Sequence, residues 1–205
     1  HLIPRFTSFR SLTEPKTFNN IKQEIAIDEV RNKLIVEDVL KAMSNGRTPI
    51  LMTELTSHVS ILATQLEPHC KNVICLTGTV SAKEKKEALF HLQEVPEDEP
   101  LIIVATGKYV GEGFDLPRLD TLFLVSPISW KGRLQQYAGR LHRECEGKKD
   151  VRVYDYIDIH EPMCDNMYHK RLKGYASIGY TTITKNAPTL FDDMEDIEDF
   201  NVVTF

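Results

Sequence analysis

The sequence predicts an α/β domain built on a mainly parallel sheet with helices on both faces. Three observations predict it. Short, continuously apolar runs recur along the chain, as strands buried on both faces require. Segments of helical period separate those runs, and that alternation makes βαβ units and therefore parallel strands. Hydrophobic residues make up 41% and charged residues 27% of 205 residues, the balance of a globular domain with one good-sized core.

The elements follow in order. Residues 1–19 hold Pro4, Pro15 and many polar side chains, and are expected to be an extended lead-in segment. Ile21 to Ser44 reads as a helical stretch, with Ile25, Val30, Leu34, Ile35 and Val39 among its apolar positions and Gly46 where a helix stops. Pro49 opens a strand over Ile50–Thr53. Ser57 to Leu66 reads as a helix and Val73–Leu76 as a strand. Ser81 and Glu84 form a capping box, in which each side chain satisfies the other's backbone N–H, opening a helix to about Gln93. Strands are expected at 101–105, 121–125 and 151–157, and helices at 134–144 and 163–177. The folded core is thus 20–180, followed by 181–205 as an acidic, mobile tail.

Charge and cysteine usage bound the function. Six acids fall in Asp192–Asp199, and no Lys or Arg follows Lys185; without those six, 24 acids face 25 bases. The body is near neutral and the acidity belongs to the tail, a solvated end. Cys70, Cys75, Cys145 and Cys164 make no C-x-x-C pair, so reduced thiols in a cytoplasmic protein are expected rather than zinc or a disulfide scaffold. No apolar run is long enough to span a bilayer, and His1–Arg5 lacks the features of a signal peptide.

Ligands of a parallel α/β sheet bind beyond the carboxyl ends of its strands, which singles out the loops at 53–57, 77–81, 106–117 and 126–132. The sharpest signal follows the last of these: Gln136-Tyr137-Ala138-Gly139-Arg140-Leu141-His142-Arg143. At about 100° per residue, Gln136, Arg140 and Arg143 share one helical face within about 60°. Leu134, Ala138, Leu141 and Cys145 lie towards the opposite side. Gly139 lets another surface approach the polar stripe. Two guanidiniums and an amide aimed one way suit a polyphosphate, because arginine makes forked, permanently charged contacts; the alternative is a solvated face. The loop after 101–105 carries Thr106, Gly107, Gly111, Gly113 and Asp115. Its glycines let N–H groups approach a phosphate, while Pro117 stands where a dinucleotide fingerprint needs a third glycine. Thr53-Glu54 and Thr77-Gly78-Thr79 each lead from a strand into a helix, as backbone-phosphate contacts or as caps. Lys170, Arg171 and Lys173 read as a solvated helix face.

In this order and spacing the segments resemble the second RecA-like lobe of superfamily 2 helicases. Thr53-Glu54 resembles motif IV, Gly113-Phe114-Asp115-Leu116-Pro117 motif V, and Gln136-x-x-Gly139-Arg140-x-x-Arg143 motif VI. Glu112-Gly113-Phe114-Asp115 is most similar to type III restriction Res subunits and excision-repair helicases, which favours DNA over RNA. The resemblance implies that Arg140 and Arg143 are arginine fingers and that Gln136 positions phosphate or water. Gly113, Asp115 and Gly139 would lie at the nucleotide, and Thr53, Thr77, Gly78, Thr79 and Thr106 at the nucleic-acid backbone. Tyr137 stands where RNA helicases often carry arginine. No G-x-x-x-x-G-K-[ST] occurs in the chain, so ATP and Mg²⁺ are expected on an N-terminal lobe of the same protein, and the chain alone should not hydrolyse ATP. The alternative is a non-catalytic nucleic-acid or protein-binding module with the same fold.

Overall fold

The computed structural model describes residues 1–78, 82–107, 116–128, 137–139, 141–185 and 200–203. Among them the strands are β1 (Leu2–Phe6), β2 (Pro49–Thr53), β3 (Val73–Leu76), β4 (Ile102–Thr106), β5 (Thr121–Leu124), β6 (Arg152–Ile157), β7 (Thr182–Lys185) and β8 (Phe200–Val203). The helices are α1 (Phe18–Ile27), α2 (Glu29–Ser44), α3 (Thr56–Leu66), α4 (Ala82–Glu94) and α5 (Pro162–Ser177). The strands form one sheet in the order β3-β4-β2-β5-β6-β1-β7-β8, parallel throughout except for the antiparallel β7–β8 pair. The architecture is the parallel α/β sheet expected from the alternation of apolar runs, in the RecA-like form that the resemblance implies.

Side chains of β2, β4 and β5 alternate between two cores. Ile50, Met52, Ile103, Ala105, Leu122 and Leu124 enter one, with Tyr137, Ala138, Leu141 and Tyr175. Leu51, Ile102, Val104 and Phe123 enter the other, with Ile35 and Val39 of α2 and Val59, Leu62 and Leu66 of α3. Every residue of these three central strands is buried, which is why they are continuously apolar although strands have a period of two.

The stretch read as helical over 21–44 is broken into α1 and α2 at Asp28. This residue is extended (φ −68°, ψ 111°), and its carboxylate accepts from the Arg31 N–H at 2.7 Å, capping α2. A side chain that offers the backbone this alternative stops one helix and starts the next.

The lead-in segment contains β1, which pairs with β6 over Leu2↔Val153 to Phe6↔Ile157. Pro4 is tolerated because the Leu2 N–H points towards β7, donating to the Thr181 carbonyl. By alternation the Pro4 nitrogen faces that same side, where β7 meets β1 only at Leu2↔Thr182 and no ladder bond is forfeited. Two stretches of the acidic C-terminal segment, 182–185 and 200–203, extend the sheet as β7 and β8.

Candidate functional site

The carboxyl ends of β2, β3 and β4 lie side by side. Thr53 is in register with Thr106, and Leu76 with Ala105. The Gly78 N–H donates to the Thr106 hydroxyl at 3.2 Å, tying the loop after β3 to the end of β4. Thr53 is 2% exposed and its hydroxyl sits 3.0 Å from His58 Nδ1 and 2.8 Å from the Ser126 hydroxyl. Thr53, Thr77, Gly78 and Thr106 are therefore brought to one edge. The three threonine side chains are buried and Gly78 is exposed. The threonines shape the loops, and backbone groups with the exposed Thr56 and Ser57 are what a ligand can reach. No side chain caps the start of α3, after Leu55, so its first N–H groups are an electropositive feature of the same edge.

His58 is fully buried. The Asn32 amide nitrogen donates to the Ala26 carbonyl, so its oxygen accepts from His58 Nε2 at 2.9 Å. His58 Nδ1 then accepts from Thr53, and the Thr53 oxygen accepts from Ser126. Burial, reinforced by the Arg31 charge, pushes the imidazole pKa down to about 3. The ring is neutral, as this relay of donors requires.

Gln136, Arg140, Gly113, Asp115 and Thr79 lie outside the described residues, as do Ser81 of the capping box and 134–136 of the expected helix. Ala138 and Leu141 are buried against the sheet as the helical pattern demands, Tyr137 is buried with them, and Cys145 is only half-buried. Gly139 is exposed, and a Cβ there would meet nothing within 4 Å, which leaves room for an approaching surface. The described helical residues of this segment end at Leu141, so Arg143 lies past the helix and not on its face. Lys148 explains the ending: its ammonium donates to the Leu141 and Arg143 carbonyls at 2.9 and 2.7 Å, and Gly147 reverses the chain with φ +81°. Arg143 lines an open cleft of about 730 Å³ with His142, Lys148, Lys149, Asp150 and Val151. Asp150 and Val151 lead into β6, so Arg143 lies towards that strand's amino end, away from the threonine edge.

Two buried arginines hold the loop that leads into this segment. Arg31 of α2 forks onto Asp158 at 2.9 and 3.3 Å and donates to the Val125 carbonyl at 2.7 Å. From the other sheet face, Arg171 of α5 forks onto Asp155 at 2.8 and 2.9 Å and donates to the Ile128 carbonyl at 2.6 Å. Burial opposes the Arg171 charge, and the adjoining Asp155 carboxylate outweighs it and holds the pKa above the ordinary value. Arg171 is 1% exposed, so it does not belong to the solvated face expected for Lys170–Lys173; the two lysines do. The signal was in Val153-Tyr154-Asp155-Tyr156-Ile157-Asp158: carboxylates on a strand buried among apolar side chains demand buried cations.

Among the described residues no group of three or more His, Cys, Asp or Glu could hold a metal ion. No helix among them is long and apolar enough to cross a membrane.

A parallel sheet whose loops are tied together at its carboxyl edge, followed by a segment whose Tyr137, Ala138 and Leu141 pack on one face, is the architecture of a RecA-like lobe. The chain belongs to the helicase conserved C-terminal domain family, whose model matches residues 30–145, more than half of it. It is similar to transcript termination protein A18 of Fowlpox virus (strain NVSL), 25% identical over 139 residues, covering 67% of this chain and 29% of that protein. It is also similar to the 161L protein of Invertebrate iridescent virus 6, 28% identical over 171 residues, covering 79% and 37%. Of solved structures, T4 UvsW shares the fold with a TM-score of 0.66 at 19% identity, over 86% of this chain and 38% of that one. The chain thus spans about a quarter to two fifths of the relatives it matches.

Proposed function

We propose that this lobe is the strand-gripping, ATP-sensing half of an ATP-dependent DNA helicase or translocase. The observation that carries the proposal is the family match over 30–145, within which the Gly139-Arg140 pair directly follows buried residues packed on the sheet. Gly139 is open to solvent, so a second lobe can close on it without displacing a side chain. ATP and Mg²⁺ would be held by that other lobe, and Arg140, with Gln136, would reach the γ-phosphate across the cleft. A guanidinium there stabilises charge developing on the transferred group. Arg143, past the helix and towards the amino end of β6, would contribute less. Gly113 and Asp115 would meet the nucleotide. The edge formed by Thr53, Thr77, Gly78 and Thr106, with Thr79 next in the chain, would follow the nucleic-acid backbone through loop N–H groups.

DNA is favoured by the Glu112-Gly113-Phe114-Asp115 sequence. None of the relatives named above is a restriction subunit, and a restriction role is not carried forward. Four free thiols suit a reducing, cytoplasmic setting.

Steady-state ATPase rates test the proposal. The 205-residue chain alone should show no turnover, having no P-loop to cradle phosphates. In a protein carrying both lobes, Arg140→Ala should lower kcat by about 10³-fold or more, as for other arginine fingers. Arg140→Lys should also fail, since an ammonium has no planar fork. Normal turnover by the arginine variants, or ATP hydrolysis by the isolated chain, would refute the proposal.

A further inference from the structure

We propose that Tyr137 is a positioning residue that ties the arginine-bearing segment to the loop after β4, so that nucleic acid on one accelerates ATP turnover at the other. The proposal rests on the motor-lobe reading. Tyr137 is 4% exposed, its ring packed in the same core as Met52 and Leu124. Its hydroxyl donates to the Gly107 carbonyl. Gly107 follows Thr106, whose hydroxyl accepts from the Gly78 N–H. One chain of contacts therefore runs from the loop after β3, through the end of β4, to the residue three places before Arg140.

Gly107 and Tyr137 are also matched in shape. A Cβ on Gly107 would stand 2.9 Å from the Tyr137 oxygen and 3.6 Å from the Met52 terminal methyl, closer than a side chain tolerates at the phenol. Gly107 has no positive φ, so the requirement for glycine comes from the phenol and not from the backbone. A buried hydroxyl bonded to a carbonyl fixes direction and separation, and leaving such an acceptor unpaired is unfavourable. The two ends of this bond lie on segments assigned to different ligands, which makes it a means of moving them together.

Tyr137→Phe removes one oxygen and keeps the ring, so it cuts the tie without opening a cavity. The measurement is the ratio of kcat with saturating single-stranded nucleic acid to kcat without, in a protein carrying both lobes, using whichever of mixed-sequence DNA or RNA stimulates the wild type more. That ratio should fall about tenfold, the scale of coupling carried by one contact, with a cooperative thermal melt retained and its midpoint lowered by the unpaired carbonyl. Gly107→Ala, which pushes the phenol away, should lower the ratio similarly. Adding it to Tyr137→Phe should lower it little further, because the crowded oxygen is gone. A wild-type ratio in Tyr137→Phe, or two losses that simply multiply, overturns the proposal. Arg140→Ala separates the two levels. If it abolishes turnover while Tyr137→Phe leaves the ratio intact, only the tie is wrong. If Arg140→Ala turns over normally, the motor-lobe reading falls and the tie with it.

Discussion

His58 shows how a residue that touches no ligand sets a condition on the site. Its neutral ring joins Asn32 of α2 to Thr53 and Ser126 at the loop edge, and its pKa is pushed from 6.5 to about 3. The sign of the resulting pH dependence follows from linkage. Between those values the unfolded chain binds a proton that the folded chain refuses, so this contribution to stability is complete above about pH 6.5 and is lost as the pH falls towards 3. His58→Gln removes the titration. Thermal melts of both proteins from pH 7.5 to pH 4 should show the wild type losing its advantage over the variant as the solution is acidified; parallel curves would contradict the account. In sequence this residue was one more polar position in a helix start. Only the fold brings Asn32 and Ser126 to it.

At the scale of elements, the arginine-bearing segment separates packing from chemistry. Leu141 is 2% exposed on the sheet face and Arg143 is exposed beyond the last helical residue. Leu141→Ala should destabilise the lobe by about 2–5 kcal/mol through lost burial and a cavity. Arg143→Ala should change stability by no more than about 0.5 kcal/mol, both read from denaturant melts of the 205-residue chain. Ala138 and Leu141 on the buried face of this segment and the five strands from β2 to β6 were legible, because apolar period reports local geometry directly. Three features were not. Asp28 divides one helical pattern in two because its side chain outcompetes the next backbone bond. β1 hides behind Pro4, whose missing N–H matters only once its neighbours are known. Arg171 sits between two lysines, and only the register of β6 shows that it faces Asp155 and not water.

For the whole molecule, charge is distributed against the proposed ligand. Six acids lie between Asp192 and Asp199, flanked by strands β7 and β8 of the sheet. β7 runs parallel to the central strands, so its last residue, Lys185, lies at the carboxyl edge of the sheet. Replacing the six acids with Asn and Gln retains β8. It should tighten nucleic-acid binding by the 205-residue chain at low salt, with the difference from wild type shrinking as salt rises, because opposing charges and counterions act through a screened field. Fluorescence anisotropy titrations at two salt concentrations test this, and unchanged affinity at low salt would exclude repulsion by the acidic stretch.

The position of β1 between β6 and β7 has a consequence for how the chain is made. The side chains of Thr7 and Asp158 meet across a separation of 151 residues, and β1 takes its five-residue ladder from β6. By contrast, β2, β3, β4 and β5 pair among themselves within a far shorter stretch. As this lobe is synthesised, the half-sheet β3-β4-β2-β5 can pair while β1, which precedes those four strands in the chain, still lacks β6. β1 is thus the earliest of these strands in the chain and among the last to settle, and until β6 has been made Leu2, Ile3 and Phe6 are an unpaired apolar edge that a nascent-chain chaperone is suited to cover.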